Sequence, residues 1–302
     1  MSTSVKTWLQ AFRLRTLPLA LSSIAMGGFL AAAVGAFRWS IFLLCILTTI
    51  FLQVLSNLAN DYGDSVHGAD SRERTGPSRA VQSGAISPSG MRVAIAVFIV
   101  LSFVSGLTLL FIAFGFDWQA ILFFLGLGVA SILAAIAYTV GRKPYGYLGL
   151  GDISVFIFFG LVGVLGSTYL FTRDFSSLNF FPAISCGLFS VAVLNINNIR
   201  DIDSDLKAGK FSVPVRIGRA KAVVYHWLIV IVGLSSAIAY SIMNYHSPWQ
   251  FLFLLTLPLF ASNLNAVSRK TSASLDPYLK QMALSTLAFV ILFGTGLLLA
   301  IA

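Results

Sequence analysis

Apolar residues run through this chain in long blocks separated by polar connections. The blocks fall at about 17–36, 39–60, 92–114, 118–139, 148–171, 178–200, 220–242, 248–268 and 280–301. A helix rises 1.5 Å per residue, so about 20 apolar residues cross the hydrocarbon layer of a bilayer. Each block therefore predicts one transmembrane helix. The expected fold is an all-α integral membrane bundle of about nine helices, forming one domain over residues 1–302. Two connections stand out as long and polar, about 61–91 and 201–219, after the second and sixth helices.

The basic residues test this helix count. With the N-terminus inside, all Lys and Arg but two fall on the cytoplasmic side, leaving Arg38 and Arg173 opposite. Adding or losing one helix would scramble that asymmetry, which is the usual signature of membrane orientation. The expectation is a multi-pass protein of the cell inner membrane. Its N-terminus and long loops would be cytoplasmic and its C-terminus on the far side. The first apolar block exceeds the 7–15 residues of a signal-peptide core, so it reads as an uncleaved first helix.

Composition agrees. The chain is 57% hydrophobic and 10% charged, against about 25% charged in soluble domains. The net charge of +9 belongs to membrane orientation and an anionic ligand. No aromatic–basic interleaving points to nucleic acid. Cys45 and Cys186 lie in apolar blocks without metal-ligand spacing and read as small packing residues.

The acidic residues change the picture. Five of the eleven Asp and Glu sit in two short segments that close apolar blocks, where carboxylates are costly. The first runs Asn57-Leu58-Ala59-Asn60-Asp61-Tyr62-Gly63-Asp64. The second runs Asn197-Asn198-Ile199-Arg200-Asp201-Ile202-Asp203-Ser204-Asp205. On a helix, Asn197, Asp201 and Asp205 share one face with Asn198 at its edge. Asn57, Asp61 and Asp64 form a similar face with Asn60 beside it. Carboxylate and amide oxygens are what magnesium takes, with substrate phosphate completing the shell. Two facing clusters could thus hold one diphosphate through metal ions. Each has Asn four residues before Asp, a weak internal repeat that suggests two related four-helix units plus one extra helix. The alternative for either cluster is a solvated helix end, although carboxylates there oppose the helix dipole.

Basic residues near the clusters supply candidate phosphate contacts: Arg72, Arg79, Lys143, Lys207 and Lys210, ahead of Arg219 and Lys221. Tyr138, Tyr145, Tyr147 and Asp152 surround the fourth connection on the same side. The tyrosines read equally as an interfacial belt. Asp152, inside an apolar block, calls for a polar partner or pocket. His67 could act as a base or simply be exposed; His226 and His246 read as bystanders.

These residues carry a resemblance. Asn-x-x-x-Asp-x-x-Asp after the second helix and Asn-x-x-x-Asp-x-x-x-Asp after the sixth resemble the two aspartate-rich motifs of the UbiA superfamily of membrane prenyltransferases. Nine helices agree with that family over nearly the whole chain. Arg15-Thr16-Leu17-Pro18, Asn60-Asp61-Tyr62-Gly63-Asp64, His67-Gly68-Ala69-Asp70 and Arg74–Gly84 are similar to its menaquinone branch. The first motif spaces its carboxylates by three where many members use four, which leaves open which of them reaches metal. The resemblance implies that Asp61, Asp64, Asp201 and Asp205, with Asn57 and Asn197, bind Mg2+ and a polyprenyl diphosphate. It further implies transfer of the prenyl chain to 1,4-dihydroxy-2-naphthoate with loss of carbon dioxide and diphosphate, giving demethylmenaquinone. Other readings are another acceptor, such as 4-hydroxybenzoate or homogentisate, and a membrane transporter using the carboxylates as an ion site.

Overall fold

A computed structural model describes residues 4–67 and 79–302. Among them every regular element is helical. Among the described residues, nine helical spans are long and apolar enough to cross a membrane: Val5–Ala33, Trp39–Val66, Pro88–Phe114, Trp118–Ala137, Gly151–Thr172, Ser177–Arg200, Val213–Met243, Pro248–Arg269 and Ser272–Ile301. The second, third and fourth pack among themselves, and the sixth to ninth form the other side of the bundle. The first and fifth stand between these groups.

Several helices outrun the apolar blocks that announced them. The second continues from residue 60 to Val66, the seventh begins at Val213 rather than near 220, and the ninth at Ser272 rather than 280. Hydropathy registers the hydrocarbon thickness, whereas the backbone hydrogen-bond ladder continues into polar turns. The first acidic segment is therefore the last turns of a helix, not the opening of a loop. The second segment behaves similarly. The sixth span ends at Arg200 and a short helix, Ile202–Lys207, follows at once. The Asp201 N–H donates to Asn197 O at 3.1 Å and the Asp205 N–H to Asp201 O at 2.8 Å. The four-residue rungs thus persist through the break.

Three irregularities shape the interior. Arg13 adopts a left-handed conformation, φ 50°, which breaks the first span after Phe12. Gly218, φ 78°, kinks the seventh near its start, a turn that costs glycine little. The fifth span carries wide π turns from Phe156 to Gly166, a form rare in helices and frequent at functional sites. Gly160 in that stretch meets Gly187 of the sixth span so closely that an added Cβ would lie 2.9 Å from the Gly187 Cα. Absent side chains let the two backbones touch.

Candidate active site

Between the two helix groups lies a chamber of about 470 Å³. Its body is apolar, walled by Leu109, Phe124, Gly128, Phe158 and Val162, with the π turns supplying the last two. Its head is polar and charged. Asn57, Asn60, Asp64, Arg79, Tyr138, Asn197 and Lys210 all reach it. Residues from both acidic segments thus meet at one end of one cavity.

The first segment is fixed by neighbours on three sides. The break at Arg13 leaves the Phe12 carbonyl without a helical partner, and the Asn57 amide donates to it at 3.0 Å and to Thr16 Oγ1 at 3.1 Å. Asp61, 2% exposed, accepts the backbone N–H groups of Ala80 at 3.0 Å and Val81 at 3.1 Å. It thereby pins the turn that follows Arg79. Asp64 accepts from the Tyr147 hydroxyl at 2.9 Å and pairs with Arg79 at 2.5 Å. Thr139 Oγ1 donates to Ala59 O and Asn60 Oδ1 at 3.1 and 3.2 Å. Gly63 makes that approach possible, since an added Cβ would sit 2.6 Å from the Thr139 carbonyl. His67 is a tie rather than an exposed loop residue: its ring nitrogens lie 2.9 Å from Gly63 O and 2.9 Å from Gly141 O.

The second segment is built around a buried arginine. Arg200 grips Asp201 in a fork, Nε to Oδ1 at 2.8 Å and Nη2 to Oδ2 at 2.7 Å, and reaches Asn197 Oδ1 at 2.8 Å. Asp205 pairs with Lys210 at 3.3 Å. Burial, with help from the fields of Asp201 and Asp64, pushes the Asp205 carboxyl up to about 6 against the pull of Lys210. Tyr138 feels Asp64, Asp152 and Asp205, and its phenol is raised, first by burial and then by these charges. The two segments are therefore electrostatic neighbours across the chamber head.

A common plan emerges. In each segment the first aspartate is held by internal donors, backbone amides for Asp61 and a guanidinium for Asp201. The last is paired with a cation that lines the chamber, Arg79 for Asp64 and Lys210 for Asp205. The remaining sequence candidates fall elsewhere. Asp152 is buried and accepts from the Tyr225 hydroxyl at 2.9 Å. Asn198 is buried behind the wall, while Lys143 and Lys207 are exposed. Arg72 lies outside the described residues. The sequence reading passed over Arg13, Arg15 and Lys280, which line the chamber, having assigned them to membrane orientation. It also passed over Asp276, discussed below.

Magnesium chemistry can be tested against the donor set. Among the described residues no three His, Cys, Asp or Glu side chains converge tightly enough to hold a metal alone. The oxygen donors are nonetheless hard ones. Asn198 Oδ1 and Asp205 Oδ2 are buried and accept no hydrogen bond among the described residues, although Lys210 remains at 3.3 Å from the latter. Few protein ligands and several from substrate is the ordinary magnesium arrangement, so the residues fit that ion in company with a phosphate.

A bilayer-spanning bundle that closes an apolar chamber with a head of carboxylates, amides and cations defines a multi-pass membrane protein that handles an anionic, long-tailed substrate. The family model of the UbiA prenyltransferase family matches residues 20–286. The chain belongs to that family. It is 46% identical over 298 residues to a 1,4-dihydroxy-2-naphthoate octaprenyltransferase of Haemophilus influenzae, covering 98% of this chain and 96% of that one. It is 42% identical over 296 residues to the Escherichia coli protein of the same name, again over 98% and 96%. A UbiA homologue from Archaeoglobus fulgidus, solved with GPP and Mg2+, superposes with TM-score 0.59 at 14% identity, over 95% of this chain and 99% of that one.

Proposed function

We propose that the protein transfers a polyprenyl chain from polyprenyl diphosphate to 1,4-dihydroxy-2-naphthoate, releasing diphosphate and carbon dioxide. One observation carries the reading: the two acidic segments and their cations form the head of a single apolar chamber. The near full-length similarity to naphthoate octaprenyltransferases supports the choice of acceptor.

The proposed division of labour follows from the contacts. Arg79 and Lys210 bind the diphosphate oxygens; Arg72, Lys143 and Lys207 are proposed as further phosphate contacts on the sequence pattern alone. Asp61, Asp64, Asp201 and Asp205 form the Mg2+ site, with Asn57, Asn60, Asn197 and Asn198 as the amides that serve the substrate. Bound there, the ion would neutralise the leaving diphosphate as the allylic C–O bond ionises. The apolar chamber excludes water from the allylic cation, and Tyr138 borders the place where the aromatic carbon attacks it, with Asp152 behind it acting on the phenol through its charge. The new C–C bond forms at the ring carbon that bears the carboxylate, whose bonding pair returns to the ring as carbon dioxide departs. The protein is proposed to lie in the cell inner membrane with the chamber head and N-terminus cytoplasmic, in keeping with the distribution of basic residues.

The test is incubation of purified protein in detergent with polyprenyl diphosphate, magnesium and a mixture of naphthoate, 4-hydroxybenzoate and homogentisate. Mass analysis should find the prenylated, decarboxylated naphthalene product with diphosphate in equal amount. Prenylation of another acceptor alone, or no diphosphate release, overturns the reading.

A further inference from the structure

Asp276 begins the α-helical part of the ninth span, far in sequence from both acidic segments, yet its two oxygens hold two arginines that lead to the chamber. Oδ1 accepts from Arg200 Nη1 at 2.7 Å, and Oδ2 from Arg15 Nη1 at 3.3 Å. The Arg200 side chain is 1% exposed, and its other nitrogens grip Asp201 and Asn197. Asn197 and Arg15 both line the chamber. The carboxylate sits in the first turn of a helix, where the dipole favours negative charge.

We infer that Asp276 is a positioning residue for the diphosphate-binding head: it fixes Arg200, and through it Asn197 and Asp201, while presenting Arg15 at the chamber rim. This rests on the prenyl-transfer reading above. Geometry supports the direction of control. Arg200 has one partner in the sixth span itself, Asn197, and one just past its end, Asp201. Without Asp276 nothing from the ninth span would hold the guanidinium's third nitrogen. A forked arginine that loses the anchor from the ninth span is held less firmly, and its contact with Asn197 loosens with it. Arg15, tethered at one nitrogen and half exposed, would lose its place at the rim together with the same carboxylate. One substitution thus slackens the head from two sides and leaves the apolar body untouched.

The experiment compares wild type, Asp276→Asn and Asp276→Glu, purified in detergent. Binding of an unreactive prenyl thiolodiphosphate is measured by calorimetry with and without magnesium, and KM is measured separately for prenyl diphosphate and for the naphthoate. Groups that orient metal-site ligands are typically worth about 10–100-fold. For Asp276→Asn the expected result is at least tenfold weaker analogue binding and a raised prenyl diphosphate KM. The KM for the acceptor should change less than twofold, and Asp276→Glu should recover much of the loss. Equal changes in both KM values, or analogue binding like wild type, overturn the inference. If Asp276→Asn does not fold, Arg15→Gln tests the rim arm alone under the same criteria. A wild-type protein that neither binds the analogue nor turns over would instead defeat the prenyl-transfer reading, so the two failures are distinct.

Discussion

Asp61→Asn gives the sharpest test of how the head is built. Asp61 is buried, and each of its oxygens accepts one backbone N–H, from Ala80 at 3.0 Å and Val81 at 3.1 Å. An asparagine has the same shape but one acceptor. Its amide nitrogen would face the second N–H, donor against donor. The stranded N–H costs about 1–3 kcal/mol, and the surviving bond loses roughly 1 kcal/mol of charge assistance. The turn after Arg79 is then destabilised locally by about 2–4 kcal/mol. At 1.4 kcal/mol per factor of ten, its opening becomes about 30- to 700-fold more frequent. Hydrogen exchange of the Ala80 and Val81 amides, measured by mass spectrometry on the detergent-solubilised protein, reads this directly. Exchange should accelerate by that factor in 79–86, while the transmembrane spans keep their protection. Unchanged exchange at Ala80 and Val81 refutes the argument that Asp61 holds the turn. Loss of turnover without faster exchange would then place its charge on the ligand alone.

Gly63→Ala should abolish activity and lower thermal stability in detergent, because the new methyl would meet the Thr139 backbone at 2.6 Å; an active, stable variant would refute the close approach. Tyr147→Phe removes the hydroxyl that donates to Asp64 while Arg79 stays in place. It should raise the prenyl diphosphate KM about tenfold, as loss of a hydrogen bond to a charged group does, and an unchanged KM would show that Arg79 alone orients Asp64. Asp205 predicts a pH dependence. Its folded value of about 6 exceeds the ordinary 3.8, so its contribution to stability is full below about 3.8 and is lost as pH rises through about 6. On the proposed Mg2+ site, the metal would bind the ionised carboxylate and reverse the sign. Stabilisation by magnesium with the prenyl thiolodiphosphate should be small at pH 5 and full at pH 7.5, and equal melting shifts at both would exclude Asp205 from the metal site.

Much of the molecule was legible in the sequence, and the reasons for the gaps are physical. Nine apolar blocks gave nine spans because bilayer thickness sets the length of each. The same signal could not place the true ends of the second and seventh spans, since it falls silent where polar turns stay helical. Spacing put Asp61 and Asp64 on neighbouring positions of one helix. It could not say that one would accept backbone amides and the other an arginine, because both partners come from the far part of the long connection that follows. Arg200 read as one more cytoplasmic charge; its bond to Asp276 spans 76 residues, with no local pattern to reveal it. The π turns from Phe156 to Gly166 were equally invisible, since an all-apolar stretch carries no periodic signal to be disturbed.

The pairing of Asp64 with Arg79 and of Asp205 with Lys210 has one more consequence. At rest these two carboxylates already carry their own counter-ions, so a magnesium diphosphate would not meet bare carboxylates. Each carboxylate would trade an ammonium or guanidinium for the metal, and each freed cation would trade its carboxylate for a phosphate oxygen. On the proposed Mg2+ site, uptake of substrate would then be an ion exchange between two internal salts and one external salt. Such a metathesis lets a strongly charged group enter a membrane enzyme without leaving any single charge bare at an intermediate step.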